Sequence, residues 1–430
     1  MTARVGGQAP KDHSSRVGWM DGLRGVAAVQ VVLLHYASAF MPSIGLFNPK
    51  LIKYGWSILF INTPLSYLFD GYSAVSLFFI LSGVALTYSF SMQPYALASG
   101  AGRRVVRLGV PMVFSIVLAA VFWFWLPEQH IIAARVTGSE EWLGSLTPGN
   151  LSVATLIHEG VLEGMLAGFK GSSMLPWRWQ LALGLHLQNI GLNPVLWTLH
   201  AELYGSLLIL CLVALRRSCG DKLHIVLCAI VAAVFSKSLI LLFLVGHIAA
   251  FCLPGLASSD RSRRFGFFVC LIGVVLCSMQ TSAVINAIFG WSYTALPTPM
   301  LGPAVTLPSY QGAIGAALVF IGMAMTPKFQ HVLERPFFRW LGKISFSLYL
   351  THFSLLFTVV CAIFNAMSQH YSYGICVAVS TSIGISLSFG IAVVFERFVD
   401  KPSVAWSRKI GRPRRLVLSG PDRVAPTAAK

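Results

Sequence analysis

Arg24 and His35 stand eleven residues apart in Met20–His35 (MDGLRGVAAVQVVLLH), an otherwise apolar stretch that also carries Asp21. Eleven residues make about three helical turns, so one helix face carries a fixed cation and, about 16 Å further along, an imidazole. Ionisable groups retained inside an apolar helix are costly, and they mark functional sites by default. An imidazole suits proton transfer from a hydroxyl, or acts as a nucleophile. A guanidinium suits phosphate or carboxylate.

The elements that position these groups follow from composition. The chain has 430 residues, of which 56% are hydrophobic and 11% charged. Soluble domains carry about 25% charged residues, so an all-α integral membrane protein is expected, without a separate soluble catalytic domain. The formal charge of +17 is clustered between apolar runs. That pattern fits the basic bias of cytoplasmic membrane loops and argues against nucleic acid as a partner. The eight cysteines form no C-x-x-C pair and read as small buried hydrophobes, so no metal is expected.

Ten transmembrane helices are expected, over 21–41, 72–91, 108–126, 195–215, 223–235, 239–254, 265–280, 311–325, 344–364 and 374–396. Residues 1–18 form a polar tail without a signal-peptide cleavage site, 19–400 the membrane domain, and 401–430 a basic, disordered tail. The 127–194 segment, acidic and rich in tryptophan, reads as a folded outer loop with amphipathic or re-entrant pieces. Ten spans put both termini on one side together with every basic cluster, which the positive-inside bias makes cytoplasmic. The bilayer is thus the first partner, and the plasma membrane, the inner membrane of a bacterium, the expected location.

With this topology His35, Glu202 and His352 reach similar depths, about 12–16 Å from their entry points. A layer of two imidazoles and a carboxylate near the midplane follows, with Glu202 fixing an imidazole tautomer. Thr198, Glu202 and Ser206 give their helix a polar stripe.

These residues also sit in patterns. Asp21–Gly25 (DGLRG) with His35 resembles the R-x10-H element of the acyltransferase-3 family. Leu77–Thr87 (LFFILSGVALT), Arg103–Pro111 (RRVVRLGVP), Trp197–Tyr204 (WTLHAELY) and Leu341–His352 (LGKISFSLYLTH) resemble four further elements of that family, in order. The resemblance implies an acyl-CoA-dependent O-acyltransferase. Acetyl-CoA is the usual donor, and the acceptor is a hydroxyl of an exopolysaccharide, O-antigen or other lipid-linked glycan. Carried over, Arg24 and His35 are the essential pair, with Asp21 beside them and Glu202 the matching acid. Arg103, Arg104 and Arg107 are donor contacts, and Trp197, Ser345 and His352 occupy motif positions. Phe346 replaces a common tyrosine, and a single acid stands where many members carry two. A glycan or acyl-group transporter, and acylation of a small molecule or lipid, are the rival readings. A homo-oligomer is compatible with all of them.

Overall fold

The computed structural model describes residues 15–411, except 62, 93–95, 146–150, 170–171, 174, 176, 185–186, 188–190, 257–258, 279–281 and 297–305. Most of both expected tails, 1–14 and 412–430, lies outside the described residues. Among these residues every regular element is helical. The principal helices are α1 (Ser15–Phe40), α2 (Gly71–Met92), α3 (Leu97–Trp125), α4 (Leu199–Val234), α5 (Ile240–Leu256), α6 (Asp260–Ser278), α7 (Ala283–Ala295) and α8 (Leu307–Met325). Two more run continuously through π-helical turns, α9 (Pro336–Ser368) and α10 (Tyr373–Ser407).

Among the described residues, seven helical segments are long and apolar enough to cross a membrane. These are α1, α2, α3, α4 with its preceding turn from Pro194, α8, α9 and α10. All ten expected helices have counterparts, but two of them share one element. The expected 195–215 and 223–235 helices both fall within α4, which is interrupted at Gly220 (φ 78°, ψ 174°). That left-handed backbone is accessible to glycine at little steric cost. The expected sixth and seventh helices are α5 and α6; α6 opens with Asp260, Arg261, Arg263 and Arg264 and is therefore not among the seven. Residues 283–295, expected in a loop, form α7.

Helix starts differ from expectation where charges stand inside a helix. α1 begins at Ser15 rather than 21, α3 at Leu97 rather than 108, and α9 at Pro336 rather than 344. Arg103, Arg104 and Arg107 therefore lie on a helix, not in a basic loop. Hydropathy reads an arginine as a loop residue, but arginine is a good helix former, and partners on neighbouring helices satisfy its charge. α1 ends as expected, with Pro42 opening a short turn.

The core forms two apolar clusters. One joins α1, α3, α9 and α10; the other joins α1, α2, α4, α5 and α8. α1 contributes to both, with Ala27, Ala28, Val31 and Val32 on one side and Trp19, Met20 and Leu23 on the other. The helix bearing Arg24 and His35 is thus the shared wall of the molecule.

The described residues of 127–194 form short helices, including Gln129–Thr137 and the π-helical Glu140–Gly144 and His158–Ala167. Glu159 and Glu163 are buried within it. The Glu159 oxygens accept the N–H groups of Leu192 and Asn193 at 2.8 and 3.0 Å, fixing the chain just before α4. Burial raises the Glu159 carboxyl above the usual carboxylate range, although both N–H bonds oppose that.

Candidate functional site

The register of α1 on α9 decides the geometry. A Cβ on Gly342 would lie 2.1 Å from the Asp21 carbonyl oxygen, and one on Gly25 would lie 2.5 Å from the Gly342 nitrogen. The two backbones therefore touch at Gly25 and Gly342. Both helices run the same way from this crossing. Ten residues further along each, about 15 Å at 1.5 Å per residue, stand His35 and His352. Their rings lie 5.1 Å apart at 11°, with His35 Nδ1 2.8 Å from His352 Nε2. The glycines in DGLRG and LGKIS thus set two histidines against each other from three turns away.

The hydrogen bonds settle both tautomers. His352 Nδ1 is 2.8 Å from the Leu348 carbonyl oxygen, which only accepts. In the neutral pair His352 is therefore protonated on Nδ1, and its Nε2 accepts from His35 Nδ1–H. That leaves His35 Nε2 with a lone pair. His35 is stacked on Trp142 from the 127–194 segment at 5.9 Å and meets the edge of Phe353 at 4.9 Å.

His35 lines a cavity of about 440 Å³ with Ser38, Asp70, Tyr72, Trp142, Trp197 and Tyr349. Asp70 is the group the sequence reading passed over. Its Oδ1 accepts from the N–H groups of Tyr72 and Ser73 at 3.1 and 3.2 Å, capping α2. An aspartate just ahead of an apolar helix reads as a cap, and this one is a cap; only the tertiary structure puts it in the same cavity as His35. Trp197 also lines this cavity.

A second cavity, about 360 Å³, is lined by Arg24, Arg104, Arg107, Glu202, Lys343 and Ser345, among others. Val75 and Tyr349 line both cavities, so the two meet there. The Tyr349 hydroxyl donates to the Val195 carbonyl at 2.8 Å and lies 2.9 Å from Thr198 Oγ1, which holds the ring at the junction. Each cation has a carboxylate. Arg24 pairs with Asp21 at 3.2 Å, Arg104 with Glu202 at 2.8 Å, Arg107 with Asp400, and Lys343 with Glu396 at 3.5 Å. Arg104 Nε also donates to Ser206 Oγ at 2.9 Å, and the Arg107 guanidinium lies over the Phe346 ring at 5.0 Å. Carboxylates in these positions hold the guanidinium planes in place while leaving other N–H donors for a ligand.

Two expectations need correction. The layer of His35, Glu202 and His352 does not form: Glu202 pairs with Arg104 in the cation-lined cavity, and His352 with the Leu348 carbonyl fixes the His35 tautomer. Matched depths along separate helices say nothing about which way the side chains face. Arg103 lines neither cavity. Its guanidinium donates to the Ile410 carbonyl at 2.9 Å and the Arg408 carbonyl at 3.4 Å, latching the chain after α10. The cysteine reading holds in part: Cys270, Cys277, Cys361 and Cys376 are buried, but Cys211, Cys219 and Cys252 are exposed and Cys228 is half-buried; all eight are free.

In this helical membrane chain an imidazole lone pair in one cavity thus adjoins ordered cations in the other. The family model for the acyltransferase domain matches residues 17–396, and the chain belongs to this family, acyltransferase-3. It is similar to an O-acetyltransferase of Phomopsis amygdali, PaAT-1, at 24% identity over 392 residues, covering 81% of this chain and 73% of that protein. No solved structure matches the chain. The protein is a membrane-embedded O-acyltransferase.

Proposed function

We propose that the enzyme transfers an acetyl group from acetyl-CoA to a hydroxyl of a glycan or lipid-linked glycan, with the donor in the cation-lined cavity and the acceptor beside His35. The observation that carries this reading is the His35–His352–Leu348 chain, which leaves a lone pair on His35 Nε2 in a cavity adjoining the arginines. The acceptor O–H gives its proton to His35 Nε2 as its oxygen attacks the thioester carbonyl carbon. The carbon–sulfur bond then breaks, and the leaving CoA sulfur takes the proton from the imidazolium. His352 accepts a hydrogen bond from Nδ1 throughout, stabilising the charge on His35.

Arg24, Arg104 and Arg107 suit the phosphates of a CoA donor, and Ser345 and Phe346 lie on the same cavity wall. Trp142, Trp197 and Asp70 suit a sugar, whose ring faces stack on indoles and whose hydroxyls donate to a carboxylate. A cytosolic donor places the Arg24 end of α1, and with it both termini, on the cytoplasmic side of a plasma membrane; the basic residues clustered there support that orientation.

Purified protein given acetyl-CoA and a cell-derived glycan fraction is expected to release free CoA and to yield alkali-labile acetate on the glycan. Both products are lost in His35→Ala. Acceptor moved across proteoliposomes without CoA release would instead establish a transporter. CoA release with a lipid or small molecule, and none with glycan, would reassign the acceptor.

A further inference from the structure

Outside the lining of both cavities, three donor groups converge between the part of α4 that follows Gly220 and α5. His224 and Cys228 lie four residues apart on α4, so they share a face. His247 reaches them from α5 and is fully buried. His247 Nε2 lies 3.2 Å from His224 Nε2, and Cys228 Sγ lies 3.6 Å from His224 Nε2. One ligand atom from each residue falls within 4.8 Å of the other two. We propose that His224, Cys228 and His247 bind a single Zn2+-type cation that clamps the second half of α4 to α5.

The tautomer of His247 supports the assignment. Thr87 Oγ1, on α2, is 2.7 Å from the Gly83 carbonyl oxygen and 2.7 Å from His247 Nδ1. The carbonyl only accepts, so the threonine hydroxyl donates to it and its oxygen accepts from His247 Nδ1–H. The lone pair of His247 is therefore on Nε2, facing His224 and Cys228. A histidine that ligates a metal through one nitrogen generally donates its other N–H to such an outer partner.

Distances agree as well. Zn–N of about 2.05 Å and Zn–S of about 2.3 Å in a tetrahedron put nitrogens about 3.3 Å apart and nitrogen and sulfur about 3.6 Å apart. The two histidine nitrogens lie 3.2 Å apart and His224 Nε2 lies 3.6 Å from Cys228 Sγ, while His247 and Cys228 offer ligand atoms within 4.8 Å of each other. Three protein ligands leave the fourth position to water. Binding forms one Zn–S and two Zn–N bonds and releases the thiol proton to solvent. Arg216 is the nearby cation that opposes a metal. It lies 4.0 Å over the Phe251 ring, against which both histidines pack, and is paired with Asp221 at 2.7 Å, which offsets its charge. Without a metal the cluster would amount to one His224–His247 hydrogen bond and a weak thiol contact from Cys228 to the same His224 ring.

Full-length protein in detergent, stripped with chelator and titrated with ZnCl2, tests the assignment. One saturable equivalent is expected, with a higher melting temperature, and no comparable effect of MgCl2. CoCl2 is expected to produce a thiolate-to-cobalt charge-transfer band that Cys228→Ser lacks. Thr87→Val leaves all three donors in place and is expected to weaken Zn2+ binding about 10–100-fold. Zn2+ uptake by wild type no greater than by a folded His224→Ala/Cys228→Ala double variant would overturn the proposal. So would wild-type uptake in Cys228→Ser.

Discussion

The two adjoining cavities are built on different physics. Around Arg24, Arg104 and Arg107 the polar groups are fixed charges, each paired with a carboxylate on another turn or another helix. Around His35 the central groups are imidazoles linked in one hydrogen-bonded chain and walled by Trp142 and Phe353. Fixed charges bind and orient, because a guanidinium does not lose its proton at working pH. An imidazole exchanges protons there. Under the proposed function, binding and chemistry are separated along a single helix, with α1 supplying Arg24 to one cavity and His35 to the other.

The sharpest way to break this comparison is at the imidazoles. His35→Ala is expected to lower kcat by about 10²–10⁴, the usual worth of general acid–base catalysis, with little change in donor KM. His352→Ala should cost about 10² in kcat, as expected when a catalytic group loses its orientation. Donor KM should again be unmoved, and His352→Gln, whose side chain can still accept from His35 Nδ1–H, should recover part of the loss. Steady-state kinetics of CoA release measures both; a rise in donor KM without a fall in kcat would place the histidines on the binding side.

Gly342→Ala strikes the register that serves both cavities. Forcing a methyl group against the Asp21 carbonyl is expected to cost about 1–3 kcal/mol of stability. Thermal melts should show the loss, and kcat and donor KM should worsen together. Arg104→Ala removes a charged donor and is expected to raise donor KM about tenfold, the loss of about 1.4 kcal/mol from a hydrogen bond to a charged group, with kcat largely retained. Arg103→Ala, one position away, should leave donor KM nearly unchanged, since its guanidinium holds the chain after α10 and lines neither cavity. Equal effects at 103 and 104 would mean that charge near the entrance, rather than the ordered cavity, attracts the donor.

Apolar runs were enough to identify an all-helical membrane chain, because burying a backbone in lipid leaves helices as the economical solution when no strand periodicity is present. R-x10-H stood out as a candidate pair because charged and titratable groups are rare in such runs. Helix boundaries were less legible near arginines, since hydropathy scores the charge of Arg103, Arg104 and Arg107 without knowing that Ile410, Glu202 and Asp400 receive it.

The sequence by itself determined the class of protein and singled out the helix with Arg24 and His35; it named Arg24, Arg104, Arg107, Glu202 and Ser345 in one cavity, but only His35 and Trp197 in the other. It could not decide partnerships. Glu202 and His352 had equal claims on His35 by depth, and the approach of α1 to α9 at Gly25 and Gly342 chose His352. Asp70 and Trp142 reach the His35 cavity from segments that show no periodic signal pointing there. A pattern along one chain specifies which face a side chain occupies within its own helix. Which neighbour meets that face depends on how closely two backbones can approach, and that is settled only when the helices pack.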